Sequence, residues 1–119
     1  MRSIVRSTGQ LSALRAAIRR DVTVEGDDKL LIDDFVTAVN EVIAAALLSC
    51  GLDAASIDVR WNRRTDPRTE LWAEIRNTAV TPPSLIGDGI VACVLHRTTE
   101  RIDVQERIGG SVITVRCRI

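Results

Sequence analysis

Two glycines late in the chain offer the first candidate chemistry. Gly87 and Gly89 stand immediately before a short apolar segment that begins at Ile90. Glycine lets the backbone approach a ligand closely, and a helix N-terminus attracts anions, so this arrangement predicts a place where a phosphate could bind. Asp88 lies between the two glycines and would repel a phosphate. Two closely spaced glycines are also common in turns, so a turn without a ligand is the alternative interpretation.

The residue types that usually hold metals are few and far apart. The cysteines are Cys50, Cys93 and Cys117, and His96 is the single histidine. A structural zinc site needs pairs of Cys or His ligands at short spacing, so no metal site is predicted. Each cysteine occurs in an apolar stretch, which is typical of a buried, reduced thiol.

Length and charge limit the classes of function. The 119 residues suffice for one domain, and 45% apolar with 27% charged residues is ordinary for a globular protein. Sixteen basic and sixteen acidic residues cancel, whereas nucleic-acid-binding proteins are usually basic. The apolar run Val42–Leu48 is much shorter than a membrane span, and Met1–Gln10 lacks the apolar region of a signal peptide. We therefore expect a cytoplasmic protein that binds neither nucleic acid nor membrane.

Hydrophobic periodicity predicts the elements that must position these residues. Helical spacing and strict alternation divide the chain at Gly51, a natural helix stop, and the loop Gly26–Asp28 provides an N-cap for the second helix. The predicted elements are a strand at Ser3–Ser7, helices at Leu11–Arg20 and Lys29–Ser49, strands at Ser56–Trp61 and Leu71–Arg76 around a turn at Asn62–Glu70, a helix at Ile90–His96, a strand at Ile102–Arg107 and a closing strand from Val112.

This order of elements predicts an α+β fold with two layers. Sequential hairpins with helices between them favour a mixed or mostly antiparallel sheet of about five strands. The Lys29–Ser49 helix has a broad apolar side that includes Leu31, Phe35 and Val42, which predicts packing across one face of the sheet. All of residues 1–119 belong to this one domain.

Tryptophan and arginine side chains near the predicted hairpin each have two interpretations. Trp61 and Trp72 lie on neighbouring strands, where tryptophan fills a core or marks a protein interface. We predict that both belong to the core. Arg63, Arg64 and Arg68 crowd the hairpin turn, and we predict an exposed charged tip, with a grip for an acidic partner as the alternative.

The order of elements and both ends of the chain resemble a known superfamily. The segment Leu11–Gly51 is similar to a pair of helices, the first rich in arginine and the second carrying an acidic residue and ending at glycine. The segment Gly87–Arg118 is similar to a glycine pair followed by a short helix, a strand, a Gly-Gly turn and a Val-Arg-rich strand. These are features of the GHKL or histidine-kinase-like ATPases, and especially of their anti-sigma factor serine kinase branch. The resemblance covers nearly the whole chain and implies a Bergerat-like ATPase fold.

The resemblance implies roles for the long helix. In the family a glutamate of this helix is the general base, and an asparagine four residues later helps to hold Mg²⁺. Glu41 matches the glutamate, whereas Ala45 stands in place of the asparagine and offers no oxygen ligand. Asn40 cannot replace it, because successive helical residues point about 100° apart while residues i and i+4 share a face. A carboxylate that is solvated or paired with an N–H group is the other interpretation of Glu41.

The family's adenine site follows the second hairpin strand, where an aspartate binds the amino group and a glycine comes two residues later. Asn77 and Ala79 occupy these places, and an amide oxygen accepts a hydrogen bond more weakly than a carboxylate does. A strand-ending turn residue is the other interpretation of Asn77. The family's phosphate lid is long and rich in glycine, whereas Val80–Ile86 is short and holds two prolines. Gly87 and Gly89 remain candidates for the phosphate contact.

Three functions follow from the resemblance. The first is a regulatory domain with lost or weak ATP binding, which docks on a sigma factor or an anti-anti-sigma-type protein, or forms a homodimer, through a sheet edge and the first helix. The second is an active ATP-dependent protein serine kinase and anti-sigma factor, with Glu41 as general base and ATP and Mg²⁺ as cofactors. The third is a structural domain without nucleotide. Changes at Ala45, Asn77 and Ala79 favour the first, because their effects would combine on one bound nucleotide.

Overall fold

Two helices and five strands form the described part of the chain. The computed structural model describes residues 1–49, 56–65, 68–77, 102–106 and 112–119. In chain order the elements are β1 (Arg2–Val5), a 3-10 turn (Thr8–Gln10), α1 (Leu11–Val22), α2 (Lys29–Ser49), β2 (Ile57–Arg64), β3 (Glu70–Asn77), β4 (Ile102–Glu106) and β5 (Val112–Arg118). The predicted helix Ile90–His96 lies outside the described residues.

The strands form one antiparallel sheet in the order β1-β2-β3-β5-β4. This confirms the predicted α+β fold with an antiparallel sheet of about five strands. The predicted turn at Asn62–Glu70 is too long at both ends, because the β2–β3 ladder continues to the pair Arg64 and Glu70. Polar residues can extend a strand wherever one side of the sheet faces water, so polarity alone did not mark the turn.

The first strand is shorter than predicted. β1 ends at Val5, whereas the sequence pattern extends it to Ser7. The side-chain oxygen of Gln10 accepts hydrogen bonds from the backbone nitrogens of Arg6 and Ser7, at 2.6 and 3.2 Å. These bonds turn the chain into the 3-10 segment before α1 and end the strand.

Both helices pack on the same face of the sheet, which we call the covered face. The α2 residues that contribute to the core include Leu31, Phe35, Ala38, Val42 and Ala45, as the apolar spacing predicts. The sheet contributes the odd-numbered side chains of its three central strands, which are Ile57, Val59, Trp61, Leu71, Ala73, Ile75, Ile113, Val115 and Cys117. The even-numbered side chains of these strands lie on the opposite side, which we call the open face. The thiol of Cys117 is buried, as predicted.

Polar contacts fasten α1 to α2 along one side. Arg15 Nη1 donates to Asn40 Oδ1 at 2.8 Å, and Arg19 Nη2 lies 2.9 Å from Asp33 Oδ1. Asn40 therefore serves the contact between the helices. Neither helix in the described part of the chain has the length and apolar content needed to cross a bilayer.

The two tryptophans lie on opposite faces of the sheet. Trp61 is 4% exposed on the covered face and donates its indole N–H to Asp21 Oδ2 at 2.8 Å, which confirms the core prediction. The core prediction for Trp72 is wrong. Trp72 pairs with Asn62 on the open face, where it is half-buried beneath the guanidinium of Arg64. Alternation with Leu71, Ala73 and Ile75 required this outcome.

Candidate functional site

Glu41 lies at the margin of the α2 surface, on the side away from α1. The exposed residue Thr37 marks the middle of the solvent-facing strip, with Asp33 and Asn40 on the margin that contacts α1. Helical geometry places Glu41 on the other margin. Its side chain is half-buried and makes no hydrogen bond or ion pair with any other residue that the structure describes. This environment fits both a solvated carboxylate and a base.

The position that would supply the metal ligand belongs to the hydrophobic core. Ala45 is only 2% exposed and is part of the main apolar cluster, four residues after Glu41 on α2. An oxygen ligand introduced there would enter apolar surroundings. Among the described residues there is also no group of three or more His, Cys, Asp or Glu side chains that could hold a metal ion.

The remaining predicted site residues are only partly within the described chain. Asn77 is the last residue of β3 and pairs with Ile57 at the start of β2. Gly87, Gly89 and Ala79 lie outside the described residues. The structure therefore locates Glu41 and Asn77 in the fold, and the two predicted phosphate contacts stay predictions.

A groove beside the first strand is a second candidate site, which the sequence did not reveal in detail. It has a volume of about 590 Å³ and lies between β1 and α1. Its lining residues are Met1, Arg2, Ser3, Gly9, Gln10, Ala13, Leu14, Ala17, Arg20, Asp21 and Trp61. On the α1 wall Ala13 and Ala17 are small, whereas Leu14, Arg20 and Asp21 are larger, so a bound chain could approach the helix closely at the two alanines.

β1 gives this groove an open backbone edge. Among the described strands β1 pairs only with β2, with Ser3 opposite Val59 and Val5 opposite Ile57. The outer side of β1 consequently presents backbone N–H and C=O groups that have no strand neighbour in the described sheet. Such an edge is a template for a further strand.

One end of the groove is fixed by a carboxylate. Asp21 Oδ2 accepts the indole N–H of Trp61, and Asp21 Oδ1 accepts from Arg20 Nε at 3.2 Å. The hydrogen bond from Trp61, followed by the hydrogen bond and charge of Arg20, lowers the pKa of Asp21 against the opposing effect of burial. Asp21 is therefore ionised at neutral pH and keeps both groove residues in place.

The arginines of the hairpin form the predicted exposed charged tip only in part. Arg63 is on the covered face, with a side chain only 17% exposed, and donates to Asp27 Oδ2 at 2.6 Å and to the carbonyl oxygen of Val22 at 2.9 Å. Arg64 points to the open face instead. Arg64 and Arg68 are both exposed, as tip residues would be, whereas Arg63 is not. The alternation of β2 separates Arg63 from Arg64, because successive strand residues face opposite sides.

Asp27 is the partner of Arg63 that sequence reasoning missed. It lies in the loop between the helices, where Gly26 has φ +92° and Asp28 Oδ1 caps α2 by accepting from the backbone of Leu30. Asp27 Oδ2 also accepts from the backbone nitrogen of Val24 at 2.8 Å. The hydrogen bonds from Arg63 are the main reason that the pKa of Asp27 is lowered, although burial opposes them.

The described residues thus hold two candidate regions, the margin of α2 at Glu41 and the groove between β1 and α1. No protein-family model matches this chain, and no curated protein matches it. Of the two regions, the groove has the larger number of described residues and contains both an open strand edge and the ion pair between the exposed Arg20 and the largely buried Asp21.

Proposed function

We propose that this chain is a cytoplasmic regulatory protein-binding domain that resembles the anti-sigma factor serine kinases, with a Bergerat-like fold and lost or weak ATP binding. The observation that carries the proposal is the groove between β1 and α1. A groove with an open strand edge on one side and the small side chains of Ala13 and Ala17 on the other suits a protein partner.

The groove would bind its partner by strand addition. An extended segment that adds to β1 gains main-chain hydrogen bonds, while its alternate side chains enter the groove against Ala13 and Ala17. A sigma factor, an anti-anti-sigma-type protein or a second copy of this chain could each supply such a segment. Arg20 and Asp21 would bring opposite charges to one end of the groove.

The docking prediction uses a matched pair of exposed α1 residues. We expect Ala13→Glu to abolish binding, because it places a long charged side chain in the groove. Ser12→Glu adds the same charge to the same turn but points about 100° away, so it should bind normally. Sedimentation tests self-association, and affinity capture from the source cells tests other partners. Equal behaviour of the two variants in both measurements would contradict docking in this groove.

The nucleotide prediction is that Mg²⁺–ATP binds no better than about millimolar. It is supported by the burial of Ala45 and by the amide at Asn77 in place of the family's carboxylate. Isothermal titration with and without Mg²⁺ measures this directly. Micromolar, Mg²⁺-dependent affinity would overturn the proposal of lost or weak ATP binding.

An active protein serine kinase with Glu41 as general base is the second candidate. It is supported by the half-buried carboxylate of Glu41, which has no partner among the described residues. A general base needs a carboxylate that is accessible and not neutralised by a neighbouring cation. If nucleotide binds tightly, Glu41→Gln should retain the binding and lose phosphoryl transfer.

A further inference from the structure

The open face of the sheet carries a cluster of arginines at one end. Arg64, Arg116 and Arg118 project from β2 and β5 and flank Trp72 and Glu70 on β3. We call these three arginines with Trp72 the arginine cluster. It is separate from the groove, because the groove borders β1 and α1.

The arginine side chains of this cluster are more exposed to solvent than the carboxylate of Glu70. Glu70 has a side chain 25% exposed and lies 3.7 Å from Arg116, whose side chain is 48% exposed. Arg64 and Arg118 are both exposed, and neither forms an ion pair with a described residue. Arg64 and Arg118 therefore present positive charge to solvent without an ion-pair partner among the described residues, whereas Arg116 lies near Glu70 and opposite Asp103 on β4.

The other end of the open face lacks this excess. Arg2 donates two hydrogen bonds to Asp58, at 3.0 and 3.1 Å, and Arg60 lies 3.6 Å from the same carboxylate. Arg76 lies 3.0 Å from Glu74. Each arginine there already contacts a carboxylate, so that region is a structural network with little attraction for a ligand.

Trp72 holds one of the arginines in a defined geometry. The guanidinium carbon of Arg64 lies 4.4 Å from the centroid of the Trp72 ring, which is a cation–π contact. A stacked guanidinium keeps its N–H edge free for a planar acceptor such as a carboxylate, which it can bind with two parallel hydrogen bonds. The contact reduces the side-chain entropy that binding would otherwise remove.

We propose that the arginine cluster is a docking surface for an acidic protein segment. Charge complementarity carries the proposal, because Arg64 and Arg118 lack anionic partners among the described residues while the stacked indole orders the first of them. Single-stranded nucleic acid fits less well, since stacking platforms for bases use several open aromatic rings and the one ring here is already covered by an arginine. This surface is independent of the groove proposed above.

The test measures binding of a fluorescein-labelled polyglutamate peptide by anisotropy at low salt, with an oligo-dT strand as the competing probe. We expect the peptide to bind, and added salt to weaken it because the contact is electrostatic. The double variant Arg64→Glu/Arg118→Glu should lose at least about tenfold in affinity. The control Arg6→Glu/Lys29→Glu changes the net charge equally at exposed residues elsewhere and should bind like the wild type.

The other outcomes are equally informative. Failure of the peptide to bind, or an equal loss in the control variant, overturns the proposal. Tighter binding of oligo-dT that is lost in Arg64→Glu/Arg118→Glu would assign the surface to nucleic acid instead. Thermal melts check that the variants fold. If Arg64→Glu/Arg118→Glu does not fold, Arg64→Gln/Arg118→Gln takes its place in the binding measurement. Ala13→Glu should leave peptide affinity unchanged, which keeps this result distinct from docking in the groove.

Discussion

Ala45→Asn is expected to lower the free energy of unfolding by about 3 kcal/mol without restoring Mg²⁺–ATP binding. The substituted side chain is larger than a methyl group, and its amide would be buried in an apolar cluster where the present residue is 2% exposed. Overpacking and an unpaired buried amide each cost about 1–3 kcal/mol. Urea unfolding at neutral pH and isothermal titration with Mg²⁺–ATP measure the two effects.

Ala44→Asn is the matched control for this change. It makes the same substitution one residue earlier in α2, where the side chain is half-buried at the margin of the core. Its cost should be mainly the lower helix propensity of asparagine, below about 1 kcal/mol. Equal stability of the two variants would show that Ala45 tolerates a polar group. Tight nucleotide binding after Ala45→Asn alone would contradict the view that several positions of the site are altered.

The triple variant extends this test to the rest of the predicted nucleotide site. If the site is a degraded kinase site, adding Asn77→Asp and Ala79→Gly should raise ATP affinity by more than the sum of the single changes, because all three residues act on one ligand. If core side chains fill the position of the metal ligand, the triple variant should bind nothing and remain destabilised. The burial of Ala45 favours the second result.

Asp27→Asn is expected to cost about 3 kcal/mol at neutral pH, because it leaves the guanidinium of Arg63 largely buried without its counter-ion. The two side chains are 7% and 17% exposed and are joined by contacts of 2.6 and 3.2 Å. The comparison variant is Asp33→Asn, which breaks the more exposed pair with Arg19 and should cost below about 1 kcal/mol. Urea unfolding of both variants measures the difference.

The same ion pair should make stability depend on acid. The folded-state pKa of Asp27 is lowered, so its stabilising effect is complete above the unfolded-state pKa of about 3.9 and disappears as pH falls through the lower folded-state value. The difference in unfolding free energy between the wild type and Asp27→Asn should therefore be constant from pH 7 to about pH 5 and shrink below about pH 4. A gap that stays constant in strong acid would show that the charge of Asp27 is not what matters.

Local patterns predicted most of the architecture. The apolar spacing of α2 gave its Lys29–Ser49 bounds, because a broad buried side leaves a clear period of 3.6 residues. Alternation with a period of two residues located the strands β2, β3 and β5, because one face of the sheet is buried. The same alternation determines the faces on which Trp72 and Arg63 lie, because successive residues of a strand point to opposite sides of the sheet. The core prediction for Trp72 is wrong because it rests on residue type, whereas the position of the residue in the strand decides which face it occupies.

Long-range contacts were beyond the sequence pattern. Nothing local indicates that Asp27 in a loop meets Arg63 in a strand, or that β1 pairs with β2 to border a groove. These contacts depend on the path of the backbone between the elements. For the candidate site, the sequence identified Glu41 and Asn77 by resemblance, and the apolar spacing of α2 already placed Ala45 on the buried side of the helix, which the structure confirms.

The strands β1 and β2 are paired in the sheet but far apart in the sequence, and this affects how the domain folds during synthesis. Arg2 and Asp58, which join the two strands, are 56 residues apart in the chain. At about 5–20 residues per second on the ribosome, β1 waits roughly 3–11 seconds before Asp58 is synthesised. The β2–β3 hairpin has a far shorter loop to close, so it can form before β1 joins the sheet. The groove includes Trp61 of β2 in its lining, so it is complete only after β2 has been synthesised and paired with β1, and a segment that docks there would bind folded chains in preference to early nascent ones.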